Sequence, residues 1–118
     1  MSNIGIYTGN YQRVRNCAES VDKLLVDLKS GSTVDEQVVS PVISLLEGMQ
    51  HGIKGPPLAQ LLTLRIRQRD ASLQRRIGSM VEELQRRNVS SETVEGLEKL
   101  ARLLDHERVE LRSKLTEK

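Results

Sequence analysis

Arg65, Arg69, Ser72, Arg76 and Ser79 follow one another at steps of three and four residues. On one continuous helix that spacing builds a single row, with Arg75 just beside it. Guanidinium and hydroxyl groups in a row can track a phosphate backbone. The charge distribution points to the same stretch. The chain carries a formal charge of only +2, yet residues 56–89 hold seven arginines against three acids. The candidate anion contacts are therefore Arg65, Arg67, Arg69, Arg76 and Arg112, the last placed with them by the hairpin described below. Tyr7 and Tyr11 are the only aromatic residues, so stacking on unpaired bases has little to work with. The nucleic acid such a row suits is double-stranded RNA recognised by shape. The plainer meaning of the same residues is the charged flank of a coiled coil.

Other chemistry finds less support. His51, His106 and Cys17 are too few and too scattered to suggest a metal site, and none is expected. A glycine-rich phosphate loop needs a preceding strand, and a nucleophile elbow needs a strand-to-helix turn. Neither pattern is present, so catalytic residues and cofactors are not expected and the chain reads as a non-enzyme. Cys17 falls on the apolar face of its helix, the usual place of a buried free thiol. No leader and no apolar run near the ~20 residues of a membrane span are seen. A cytoplasmic or nuclear setting follows as the expectation, without secretion or membrane insertion.

These side chains must be positioned by helices. Within one 118-residue domain, the spacing predicts helices over residues 11–30, 33–51, 57–88 and 91–116, after a flexible arm at 1–10. Asn10 would cap the first helix and Gly31 would stop it. Thr33 and Glu36 form a capping box for the second, in which Pro41 would kink or restart the helix. The third begins at Pro56-Pro57 and would run ~45–50 Å, at 1.5 Å per residue. Ile66, Leu73 and Met80 repeat every seven residues in it, and Val94, Leu97, Ala101, Leu104, Leu111 and Leu115 form a ladder in the fourth. The fold class is thus all-α: an antiparallel bundle of about four helices dominated by a long coiled-coil-like hairpin.

The hairpin register has consequences. A connection of two or three residues makes helices three and four antiparallel neighbours, so residue 89+k faces residue 89−k. Asp70 and Arg108 interrupt the two seams, and that register predicts that they meet as a structural ion pair. Arg86 and Arg87 would be neutralised by Glu92 and Glu95. Arg65, Arg67 and Arg69 would gather beside Arg108, Arg112 and Lys114. Leu58, Leu61, Leu62, Leu64 and Ile66 span roughly 200° of helix, wider than one core contact requires. They are the expected self-association residues of a homodimer. The function these features imply is a helical interaction, adaptor or assembly protein with protein partners, and RNA binding is the alternative.

Overall fold

The computed structural model describes residues 4–116, and side chains from residue 9 onward. Five α-helices account for nearly all of it: α1 Ile4–Ser30, α2 Glu36–His51, α3 Pro57–Arg69, α4 Ala71–Arg86 and α5 Ser91–Thr116. A 3-10 turn, Gly52–Lys54, links α2 to α3. No strand occurs among the described residues.

The long axis of the molecule, 47 Å, belongs to a helix pair remote in sequence. α1 and α5 run antiparallel: Lys29 pairs with Glu98 at 2.9 Å, while Tyr11 lies against Arg108 at the other end. Their buried faces alternate in steps of three and four, Val14, Val21 and Leu24 from α1 against Leu97, Leu100 and Leu104 from α5. This pairing explains why α1 is longer than expected. Residues 4–10 are helical rather than a flexible arm, and Asn10 lies within the helix instead of capping it. Gly5 and Gly9 cost roughly 1 kcal/mol each in a helix, and the helix nevertheless includes both. Residues 1–3 of the expected arm lie outside the described residues.

α2 begins one step from the expected capping box. Asp35, not Thr33, is the cap, its carboxylate accepting the amide hydrogen of Gln37 at 3.0 Å. The helix then passes through Pro41 without a break, because Pro41 lies on the exposed side. Val39, Val42, Leu46 and Met49 hold the opposite face in the core.

The largest departure is at Asp70. The expected 57–88 helix is two helices, and Asp70 between them is extended (φ −154°, ψ 82°). Its carboxylate accepts hydrogen bonds from the Ser72 hydroxyl at 2.6 Å and the Leu73 amide at 3.1 Å, capping α4 as aspartate commonly does. The charge that looked like an interruption of a seam is a helix start. The Ser72 hydroxyl, above all, and then the Leu73 amide and the Lys99 ammonium at 3.4 Å hold the Asp70 carboxyl below its ordinary value, against an opposing desolvation second in size only to the Ser72 bond. A lowered folded value means that the cap contributes fully above the unfolded aspartate value near 4 and fades as pH falls through the lower folded one. Asp70→Ala should therefore cost about 1 kcal/mol at neutral pH, read as a lowered urea midpoint. The gap to wild type should shrink below pH ~4; a variant as stable as wild type at pH 7 would remove this role.

Breaking the helix lets α3 sink among its neighbours. It touches α2, α4, α1 and α5, and the Thr63 hydroxyl donates to the carbonyls of Ala59 and Met49. α2 approaches this corner through glycine: a Cβ on Gly55 would stand 2.3 Å from the Gly48 carbonyl oxygen. α4 and α5 meet closely at Gly96, where a Cβ would touch Met80 Sδ at 2.9 Å.

Candidate interaction surfaces

The five leucine and isoleucine residues expected at a dimer interface divide in two. Leu58, Leu62 and Ile66 are in the core of this chain. The wide apolar arc is spent mostly on the four helices that surround α3, which was not foreseeable while α3 and α4 read as one rod. Leu61 is half-buried, and Leu64 is 51% exposed.

Leu64 does not stand alone. Ile53, at 83% the most exposed large hydrophobic residue described, lines the same cleft. The cleft has a volume of about 400 Å³ and is bounded by Gly52, Ile53, Pro57, Gln60, Leu61, Thr63, Leu64 and Arg67. The 3-10 turn forms one wall and α3 the other. Pro57, Leu61 and Leu64 recur at steps of four and three, so they make one stripe along α3. Val26 and Val109 are also exposed, but they sit singly on α1 and α5, where isolated apolar residues are ordinary. Ile53 escaped the sequence reading because it stands in a Gly-Ile-Lys-Gly-Pro turn, outside any helical period.

The expected arginine row is dismantled by the Asp70 break. Arg65 turns to Glu107, with Nε 2.8 Å from Oε1, and Glu107 is 3% exposed. Arg67 goes to the rim of the apolar cleft. Arg76 is half-buried on α4, its Nη1 enclosed and without a hydrogen-bond partner among the described residues. Arg112 is exposed on the last turns of α5. Arg69 alone enters a basic cleft, of about 290 Å³, with Lys99, Arg102 and His106. Asp70 is the one carboxylate lining it. Lys99 and Arg102 were not among the candidates, because their place opposite Arg69 depends on the bend.

The predicted Asp70–Arg108 ion pair is replaced by two others. Asp70 takes Lys99, and Arg108 takes Asp105 on its own helix at 2.6 Å. The register of the chain before α4 against α5 is displaced by about two and a half turns, since Asp70 faces residue 99 rather than 108. Likewise Arg86 pairs with Glu82 and Arg87 with Glu36, not with Glu92 and Glu95.

Cys17 is half-buried beside Pro41, Leu45 and Leu58, and burial pushes its thiol up, away from the thiolate that nucleophilic or metal chemistry needs. The described residues hold no group of three or more His, Cys, Asp or Glu that could bind a metal ion. No helix described is long and apolar enough to cross a membrane. No protein-family model, curated protein or solved structure matches the chain.

Proposed function

We propose that this chain is a non-enzymatic helical interaction module that docks a helical segment of another protein along α3, in the cleft walled by the 3-10 turn. The observation that carries this reading is the exposure of Ile53 and Leu64 on one cleft, beside a stripe of helical spacing. An amphipathic helix lays its own apolar face, anchored at i, i+3, i+4 and i+7, into an apolar groove. A second copy of the chain suits the surface less well. Stable interfaces take about 20–30 residues from each side, and this cleft offers eight.

The test is selection from a displayed library of amphipathic helical peptides with random flanks, on wild type and on Leu64→Asp. Binders of wild type that lose at least tenfold in affinity on Leu64→Asp are expected, with the melting temperature kept, because position 64 is outside the core. Binders indifferent to Leu64→Asp, or none at all, would defeat the reading. A concentration-dependent dimer in light scattering, dissolved by Leu64→Asp, would make a second copy the occupant.

One observation favours a second reading, the binding of a nucleic-acid backbone. Arg69, Lys99, Arg102 and His106 converge on one cleft with a single carboxylate. Neutralising two or three duplex phosphates there would make affinity fall roughly ten- to fortyfold between 50 and 200 mM salt. Arg69→Ala with Arg102→Ala should abolish uptake of a short double-stranded RNA, measured by fluorescence anisotropy. Salt-insensitive binding, or binding that survives both changes, would exclude this cleft.

A further inference from the structure

From Gly48 to Arg69 the chain has no aspartate or glutamate, while Lys54, Arg65, Arg67 and Arg69 all fall within it. This stretch builds both walls of the apolar cleft. Arg65 is taken by Glu107. Lys54 and Arg67 are exposed, and no ion pair holds either among the described residues. Lys54 lies next to Ile53 in the 3-10 turn, and Arg67 is one helical step beyond Leu64. The cleft is lined by Ile53, Pro57, Leu61 and Leu64, carries Arg67 and no acid in its lining, and has the exposed Lys54 next in sequence to its Ile53.

We infer that the occupant of this cleft is an acidic amphipathic helix of another protein, about three turns long. This inference rests on the docking surface proposed above and adds the chemistry of the partner. The length follows from the lining of the cleft along α3: Pro57 to Arg67 rises about 15 Å, close to three turns. The helical form follows from anchors at three- and four-residue spacing. The charge follows from the rim. A carboxylate on the partner flank meets Lys54 or Arg67, whereas a lysine there meets a like charge, a mismatch that suppresses wrong partners. The same rim opposes self-association, because a two-fold contact sets this patch against itself and its cations face cations. Such rim charges govern approach and choice, and salt screens them.

The experiment uses the full chain and two synthetic helical peptides with identical leucine anchors, one flanked by glutamate and one by lysine. Fluorescence anisotropy at low and moderate salt gives their affinities. The glutamate peptide should bind wild type at least tenfold tighter than the lysine peptide, with the advantage shrinking as salt rises. Lys54→Glu with Arg67→Glu should invert the preference, and Leu64→Asp should remove binding of both. Circular dichroism confirms that each variant folds, both sites being exposed. Equal affinity for the two peptides would overturn the charge assignment while leaving the docking surface in place, as would a preference that ignores the double charge reversal. Binding of neither peptide, together with a monomer in light scattering, would remove the docking surface itself. A dimer dissolved by Leu64→Asp, or sedimentation with anionic vesicles in the absence of peptide binding, would replace the partner helix with a second copy or a lipid surface.

Discussion

Gly55→Ala should destabilise the protein by about 3 kcal/mol, at the upper end of what overpacking usually costs. The backbone at Gly55 has φ −81° and ψ 177°, which any residue adopts, so the effect is one of space and not of strain. The added Cβ would lie 2.3 Å from the Gly48 carbonyl oxygen and 3.2 Å from that of Gly52. Both obstacles are backbone, so no rotamer change relieves them. The end of α2, the 3-10 turn or the start of α3 must move instead. About 3 kcal/mol is a large share of the 5–15 kcal/mol that holds a typical domain together, and the urea midpoint reports it directly. Because the displaced segment carries Ile53, the docking proposed for the apolar cleft should weaken as well. A midpoint within experimental error of wild type would show that the corner yields more easily than its geometry indicates.

Arg65→Ala is expected to cost a similar amount, about 3 kcal/mol, the lower end of the range for breaking a buried ion pair. The penalty lies in the carboxylate left behind. Glu107 is 3% exposed and receives Arg65 Nε at 2.8 Å, whereas the Arg65 side chain is itself 36% exposed and loses less. Removing the guanidinium strands a charge away from water. The rescue is as informative as the loss. Arg65→Met with Glu107→Leu replaces both partners with apolar groups, and such exchanges are often neutral or stabilising. The double variant should therefore recover most of the stability lost by Arg65→Ala. A double variant no better than the single one would mean that α3 and α5 depend on the pair for more than charge compensation.

How much of this was legible beforehand can be judged residue by residue. Heptad-like spacing correctly marked Ile66, Leu73 and Met80 as buried, and Leu97, Leu104 and Leu111 as well. That information is local, because a helix buries whatever recurs at three and four residues. The stop at Gly31, the start of α3 at Pro57 and the start of α5 at Ser91 were legible for the same reason. Asp70 was misjudged although its neighbours signal a cap: Asp-Ala-Ser-Leu is a helix start as well as a charged gap in a seam. Only the tertiary structure decides between the two: it gives Asp70 an extended backbone between α3 and α4 and packs α3 among four helices.

The two candidate surfaces differ in the same way. The basic and apolar composition of residues 48–69 was present in the chain from the start, but which leucines remained outside was not. Leu62 and Leu64 are two residues apart, and one is fully buried while the other is half exposed. Periodicity fixes their angle to each other and says nothing about how many neighbours surround the helix. The chain by itself determined an all-helical protein with aliphatic helix faces and a positively charged middle. Tertiary structure decided that α5 packs most extensively on α1, with α4 second and α3 least. The physical reason is that burial rewards apolar area without regard to sequence distance, so two long faces 69 or more residues apart pair along their length beside the α4–α5 contact.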